Sequence, residues 1–170
     1  MENKIKMIAL DTSLRSSDYS IFSDGKLIEI GNLIVDDKDC APIDEMISKI
    51  SVLLNNTNPD IVVVENTVVI RNTKVMRLLT EIIGGIRFWC VSHNKFFYIL
   101  NPTEWRKLVK EPNEILPKKR NELKIWSMNT VKRYTRRKIN NDDVIIEYNF
   151  REELIIFEII VRNLVVESGT

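Results

Sequence analysis

The sequence predicts an α/β fold in which a five-stranded mixed sheet, its first three strands antiparallel, is flanked by helices. Two apolar runs rich in β-branched residues, at 5–10 and 61–64, each end in an acid, Asp11 and Glu65. Runs of this length and composition are typical of strands buried on both faces. Segments with apolar residues at helical spacing lie between and after these runs, so strands and helices alternate along the chain.

The amino-terminal part of the sequence predicts a hairpin. Two short runs, 19–22 and 26–30, flank Ser23-Asp24-Gly25. An Asp-Gly pair between two such runs is a strong signal for a tight turn between antiparallel strands. Together with the run that ends at Asp11, the hairpin gives three antiparallel strands.

A helical segment connects these strands to the second acid. Residues 42–54 carry apolar side chains at helical spacing and begin with a proline, which suits the first turn of a helix. A strand–helix–strand passage favours a parallel strand beside the first one, so we expect Glu65 to lie close to Asp11. Buried carboxylates are costly unless a cation, hydrogen bonds or a metal compensates them.

The longest predicted helix, 73–91, contains the pair Gly84-Gly85. Two glycines in a helix interior cost roughly 1 kcal/mol each. One interpretation is a close helix–helix crossing, such as one across a dimer axis. The other is a kink or an early end of the helix.

The carboxyl-terminal part predicts a fifth strand, 95–100, and three further helices. The first is a short helix that Thr103 could cap, and it carries Trp105, which we expect to be buried rather than to stack on bases. The other two helices are predicted at about 118–135 and 142–166. No repeat is visible, and 170 residues fit one domain, 1–170.

The composition excludes several classes of protein. With His93 as the only histidine, and with Cys40 and Cys90 outside any CxxC spacing, the chain lacks the ligands for a zinc-finger or HNH-type site. We expect reduced thiols and a cytoplasmic location, and we expect His93 to cap a helix or lie at the surface. No stretch reaches the ~20 apolar residues of a membrane span, and the first residues lack the apolar core of a signal peptide, so we expect neither.

The positive charge is unevenly distributed. The net charge is only +1, but residues 104–138 hold twelve of the 25 Lys and Arg residues against four acids. Such a stripe can bind phosphates through counterion release. The alternative is an ordinary solvated helical face. Because the stripe comes just before Asp142 and Asp143, we favour contact with phosphates.

The acids themselves predict a metal site. Asp11 and Glu65 end strands, and Asn141-Asp142-Asp143 opens the last predicted helix. Carboxylates far apart in sequence that converge in space are typical of Mg²⁺ sites in phosphoryl transfer. Asp11 as a turn cap and Glu65 as the partner of a lysine are the alternatives.

Five segments, taken in order and spacing, carry a resemblance to a known family. They are Asp11-Thr-Ser-Leu-Arg-Ser-Ser-Asp-Tyr-Ser, Val-Val-Val-Glu65-Asn, Asn72-Thr-Lys-Val-Met-Arg, Asn101-Pro-Thr-Glu-Trp-Arg-Lys107 and Asn141-Asp-Asp-Val144. The chain resembles the RuvC family of Holliday-junction resolvases, in its small phage branch. The resemblance spans nearly the whole chain and implies a ribonuclease-H-like fold, which matches the predicted order of strands and helices.

The resemblance implies a two-Mg²⁺ endonuclease that cleaves Holliday junctions. In it Asp11 would bridge both ions, Glu65 would bind on one side and Asp143, with a second acid of the last helix, on the other. Oxygen ligands suit Mg²⁺ or Mn²⁺, so Mn²⁺ is expected to substitute. A resolvase makes two symmetric cuts, so we expect a homodimer, with the helix that holds Gly84-Gly85 as its candidate interface.

The second acid of the last helix departs from the family pattern. The family has Asp-x-x-Asp, but the position three residues after Asp143 is Ile146, which cannot bind a metal. Glu147 stands one helical turn from Asp143 and is our preferred ligand. The alternatives are that Asp142 joins Asp143, or that three acids and a water suffice. A branched-DNA binding protein with a weakened nuclease is a competing hypothesis.

The resemblance also assigns contacts with DNA. Lys118 and Lys119 are expected at the scissile phosphate, where a cation stabilises developing charge. The full set of predicted DNA-contacting residues is Arg71, Lys74, Arg106, Lys107, Lys118, Lys119, Arg120 and Lys124.

Residues 66–71, after Glu65, contain no aromatic side chain that could wedge into a junction. We therefore expect broad selectivity for branched DNA: four-way junctions, forks and flaps. An RNA–DNA hybrid ribonuclease is a further alternative, because fold and acids are shared. Asp11-Thr12-Ser13 lacks the glycine of actin-like ATPases, which argues against ATP binding.

Overall fold

The structure is a computed structural model. It describes residues 4–24, 26–36, 41–66, 72–119, 121–123, 125–126 and 129–130. The chain falls into two compact units, residues 1–102 and 103–170, and each is described by itself. The single domain inferred from the sequence stays a prediction.

A five-stranded mixed sheet forms the centre of the first unit. Its strands are β1 (Lys6–Asp11), β2 (Ser16–Ser23), β3 (Lys26–Ile34), β4 (Ile61–Glu65) and β5 (Phe96–Leu100). The order across the sheet is β3-β2-β1-β4-β5. The pairs β1–β2 and β2–β3 are antiparallel, whereas β1–β4 and β4–β5 are parallel. The predicted architecture, with its three antiparallel strands first, is confirmed.

Two helices, α1 (Pro42–Thr57) and α2 (Thr73–Ser92), pack on one face of this sheet. Proline starts α1 as predicted, and Asn58 ends it in a left-handed conformation. The side chain of Asn72 caps α2 by accepting from the backbone N–H groups of Lys74 and Val75. The core under both helices is formed by Ile8, Leu10, Val62 and Val64 of the sheet, Met46, Ile50 and Leu54 of α1, and Leu79, Ile82, Ile83 and Ile86 of α2.

Helix α2 runs without a break through Gly84 and Gly85 to Ser92, so an early helix end at the glycine pair was a wrong interpretation. Apart from the adjoining backbone of the helix itself, a Cβ atom added to either glycine would meet no atom within 4 Å. The pair therefore does not mark a close crossing with another helix in the described part of the chain.

Strands β2 and β3 are both longer than the sequence indicated. The longer β3 includes Gly31, which pairs with Tyr19 in the middle of the hairpin. A glycine usually weakens a strand, but here the ring of Tyr19 covers it, and an added Cβ would lie 2.3 Å from that ring. The Tyr19 hydroxyl donates to Oε1 of Glu29 at 2.8 Å. Burial, and then Glu29, raises the pKa of Tyr19 to about 12.

Asp60 ties together the amino ends of the three parallel strands. Its backbone N–H donates to the carbonyl of Lys6 at 2.7 Å, and its Oδ2 accepts from the N–H of Lys6 at 2.9 Å. Its carbonyl accepts from the N–H of Phe96 at 3.0 Å, and Oδ1 lies 3.7 Å from Nζ of Lys95. One residue thus joins β1, β4 and β5.

We expect Asp60→Ala to lower the free energy of unfolding by about 1–2 kcal/mol, because the partly buried N–H of Lys6 loses its acceptor. Denaturant-induced unfolding followed by circular dichroism measures this. Asp60→Asn is the matched control, since its amide oxygen still accepts the hydrogen bond, and it should cost clearly less. Equal losses of unfolding free energy in both variants would show that the negative charge of Asp60, rather than its hydrogen bond, stabilises the fold.

Helix α3 (Pro102–Val109) starts one residue before Thr103, and all of it except Pro102 belongs to the second unit. Thr103 therefore lies inside the helix and does not cap it, because the proline takes the first position. Trp105 is fully buried, as predicted, and the guanidinium of Arg106 lies 4.8 Å from the centre of its indole ring. The described residues from Asn121 onwards are helical. The rest of the predicted helix 118–135, and all of 142–166, lies outside the described residues.

The remaining sequence predictions concern single side chains. His93 ends α2, with Nδ1 2.8 Å from the carbonyl oxygen of Trp89, so the predicted cap is confirmed. Burial raises the pKa of the Cys90 thiol to about 11, which keeps it protonated and unreactive at neutral pH. Cys40 lies outside the described residues.

None of the helices in the described ranges has the length and apolar character of a membrane span.

Candidate metal centre

Two carboxylates meet at the carboxyl ends of two neighbouring strands. In the parallel pair β1–β4, Leu10 lies opposite Val64, so Asp11 and Glu65 follow as the next pair in register. Paired strands are about 4.8 Å apart, so the two backbones bring both acids to one place. The expected closeness of Asp11 and Glu65 is confirmed, while their roles stay predictions.

The face on which these acids lie follows from the alternation of side chains along each strand. Leu10 and Val64 belong to the core under α1 and α2. Asp11 and Glu65 therefore lie on the opposite face, together with the buried side chains of Ala9 and Val63. Both acids are only partly buried, so this face offers carboxylate oxygens that a ligand can reach.

A third acid, Asp18, lies in the same row, and sequence reasoning missed it. It is the register partner of Asp11 across the antiparallel pair β1–β2, and only 2% of its surface is exposed. Nδ2 of Asn32, on β3, donates to Oδ1 of Asp18. The row Asp18, Asp11, Glu65 thus crosses three adjacent strands. The register of the hairpin was the signal that could have revealed Asp18. If β2 begins at Ser16 rather than at Tyr19, Asp18 pairs with Asp11.

Within the described ranges, no three Asp, Glu, His or Cys side chains form a group that could hold a metal ion by themselves. The row supplies only carboxylate oxygens, a donor set that fits Mg²⁺ or Mn²⁺ and is unlike the nitrogen and sulfur sets of zinc sites. The other predicted ligands, Asp142, Asp143 and Glu147, lie outside the described residues.

Comparison with known proteins adds to this geometry. No protein-family model and no curated protein sequence matches the chain. Among solved structures, Thermus thermophilus RuvC in complex with a Holliday junction substrate matches with a TM-score of 0.64 at 10% identity, covering 98% of this chain and 97% of that one. The fowlpox virus resolvase in complex with junction DNA matches with a TM-score of 0.60 at 17% identity, covering 96% and 98%. The chain has the RuvC-type fold.

A yeast mitochondrial Holliday junction resolvase also has the RuvC-type fold, with a TM-score of 0.55 and 11% identity over 88% of this chain and 73% of that one. The resemblance inferred from the five sequence segments is thereby confirmed at the level of the fold. The assignment to a small phage branch stays a prediction, because identities of this size do not resolve branches.

Two asparagines fix the end of β4 in this RuvC-type sheet. Nδ2 of Asn66 donates to Oδ1 of Asn101 at 2.7 Å, and the N–H of Asn66 donates to the carbonyl of Leu100 at 2.8 Å. Both residues directly follow a strand, and both stand in segments that carry the family resemblance. The bonds hold the residue next to Glu65 against β5, which limits the freedom of the candidate ligand.

Of the eight predicted DNA-contacting residues, five lie within the described part of the chain. Lys74, Lys107, Lys118 and Lys119 are exposed, and Arg106 is partly buried beside Trp105. Lys119 also lies 3.4 Å from Glu122, an exposed pair that contributes little to stability. Arg71, Arg120 and Lys124 lie outside the described residues. Contact of these cations with DNA stays a prediction.

Proposed function

We propose that this chain is a divalent-metal-dependent endonuclease that cleaves four-way junctions and other branched DNA. The observation that carries the proposal is the placement of Asp11 and Glu65 side by side at the ends of β1 and β4. Two solved structures with the same fold are resolvases bound to junction DNA, which supports branched DNA as the substrate class.

The proposed metal ligands are Asp11 and Glu65, completed by Asp142, Asp143 and Glu147. When bound, two Mg²⁺ or Mn²⁺ ions supply an activated water and neutralise charge that develops on the phosphate. The protein's own part is to hold acceptor oxygens in place. Asp11 ends the central strand, and the hydrogen bonds of Asn66 hold the end of β4, so both acids start from a rigid backbone.

Asp18 supports this site as a neighbour of Asp11. Like charges on directly opposite residues of a sheet repel each other. The hydrogen bond from Asn32 stabilises the Asp18 carboxylate. A cation bound near Asp11 would reduce repulsion between these carboxylates, so the row of acids supports a cation site here.

Binding of the DNA backbone would fall to the basic stripe. The exposed Lys107, Lys118 and Lys119 belong to the segment 104–138, which has twelve cations and four acids. Lysines in such a stripe neutralise phosphates and make affinity fall steeply with salt. Lys118 and Lys119 are the proposed contacts at the scissile phosphate.

The proposed enzyme is a homodimer that contacts its partner through α2. Phe88 and Val91 leave 74% and 70% of their surface exposed, one turn apart on the helix. Gly84 precedes Phe88 by one turn on the same face, and space is open at its Cβ position. This combination suits close approach of a second helix, and a twofold dimer would place two active sites for two symmetric cuts.

We expect Phe88→Glu to convert the dimer into a monomer, because the charge would have to be buried in the interface. Sedimentation velocity at several concentrations measures this. Val52→Glu is the matched control, since Val52 is 55% exposed on α1. A wild-type chain that sediments as a monomer, or a Phe88→Glu chain that dimerises normally, would contradict the proposed interface.

Cleavage of end-labelled substrates tests the proposed function. Four-way junctions, forks, flaps, linear duplex and an RNA–DNA hybrid are incubated with the chain in Mg²⁺, in Mn²⁺ or in EDTA. We expect nicks in the branched substrates only, and none in EDTA. Binding without nicks in either metal would indicate a weakened nuclease, and cleavage that requires the 2′-OH would indicate a ribonuclease. Cleavage of four-way junctions alone would contradict broad selectivity.

A further inference from the structure

Two aromatic side chains lie exposed on the edge strand β5. Phe96 keeps 66% of its surface exposed and Tyr98 keeps 54%, although both belong to the sheet. We refer to Phe96 and Tyr98 as the β5 aromatic pair. Exposed apolar residues on an edge strand favour aggregation, so a binding partner that covers the pair would also lower the tendency of the chain to aggregate.

The β5 aromatic pair lies on the same face of the sheet as the candidate metal centre. Phe97 and Ile99, the intervening residues, pack against the core under α1 and α2. The side chains of Phe96 and Tyr98 therefore lie on the opposite face, where alternation also places Asp11 and Glu65.

The register of β4 and β5 fixes the separation along that face. Tyr98 pairs with Val63, and Leu100 pairs with Glu65, so Tyr98 lies one strand across and two residues back from Glu65. Strand spacing and rise per residue make this about 8 Å between Cα atoms. A nucleotide spans a similar distance from its phosphate to its base, so a phosphate at Glu65 would bring a base within reach of Tyr98.

We infer that the β5 aromatic pair is a stacking surface for bases that branched DNA exposes beside the scissile phosphate; this inference depends on the proposed function. Every base has a π-face, so stacking tolerates any sequence. Bases inside a linear duplex are stacked on both sides, whereas an open branch point leaves the bases beside it without a stacked neighbour on one side. The pair would therefore favour branched over linear DNA, a role for which residues 66–71 supply no aromatic side chain.

Binding measurements on Tyr98 variants test the inference. Fluorescence anisotropy in EDTA gives the affinity of the wild type, Tyr98→Ala, Tyr98→Phe and Phe96→Ala for a labelled four-way junction and for a linear duplex. We expect each alanine variant to bind the junction roughly 5- to 150-fold more weakly, the loss of one stacked ring. The linear duplex should be bound as by the wild type, and Tyr98→Phe should retain junction affinity.

Ile28→Ala is the matched control, because Ile28 is 57% exposed on the other edge strand, β3. Circular dichroism verifies that each variant is folded. In addition, 2-aminopurine at the branch point should lose fluorescence on binding to the wild type but not to Tyr98→Ala.

Three outcomes would overturn the inference. They are unchanged junction binding by both alanine variants, an equal loss for junction and linear duplex, and a change of oligomeric state that would make the pair a protein interface. Failure of the wild type to bind any branched DNA would instead refute the proposed function, and the inference would fall with it.

Discussion

Asp11→Asn is expected to reduce metal-dependent cleavage of branched DNA by at least about 100-fold. The change removes the carboxylate of the central strand β1, which stands between Asp18 and Glu65 in the row of acids. An amide carries no charge and binds Mg²⁺ poorly, and loss even of an outer-shell partner typically costs 10–100-fold. The folded state should persist, because asparagine has nearly the same size and Asp11 is only partly buried.

The measurement is the initial rate of nicking of a four-way junction at several Mg²⁺ concentrations, together with junction affinity in EDTA. Asp44→Asn is the matched control, since Asp44 is an exposed acid in the first turn of α1. We expect the control to cleave normally and Asp11→Asn to bind junctions without cleaving them. If Asp11→Asn cleaved at the wild-type rate, the metal centre would have to lie elsewhere.

Trp105→Ala is expected to lower the free energy of unfolding by about 3–5 kcal/mol. The indole is fully buried, and truncation of a buried tryptophan leaves a cavity. The change also removes the ring beneath the Arg106 guanidinium, a contact at 4.8 Å. Arg106 is one of the predicted DNA-contacting residues, so a freed side chain should also weaken binding to DNA.

Denaturant unfolding and anisotropy on the same samples separate these effects. Thr103→Ala, an exposed change on the same helix, should alter stability by no more than about 0.5 kcal/mol. Trp105→Phe should lower the free energy of unfolding less than Trp105→Ala does. Unchanged stability combined with weaker DNA binding would instead identify Trp105 as a base-stacking residue, contrary to the sequence prediction.

The elements with strong local patterns were predictable from sequence. β1 and β4 are continuous apolar runs, and α1 and α2 have apolar residues at helical spacing, so their existence and nearly all of their length follow from periodicity. The parallel pairing of β1 and β4 followed from the strand–helix–strand rule, and it brought Glu65 beside Asp11.

What sequence reasoning missed depends on contacts between strands. The extension of β3 past Gly31 comes with a contact to the ring of Tyr19 on the neighbouring strand, which no local pattern reveals. Asp18 was missed for the same reason, because its place in the row of acids depends on hairpin register rather than on its own neighbours. The glycine pair of α2 suggested an interruption, but packing of Ile82, Ile83 and Ile86 outweighs the low propensity of glycine.

Because β1 lies in the middle of the sheet, Asp11 would keep its position until late in unfolding. Strands β2 and β4 pair with it on either side, and Ile8, Ala9 and Leu10 are almost inaccessible to solvent. The backbone amides of such a strand open only when the whole unit unfolds, so they exchange with deuterium last. We therefore expect Asp11 to keep its place until the first unit unfolds as a whole, and a loss of the proposed activity below that transition would have a cause other than displacement of this carboxylate.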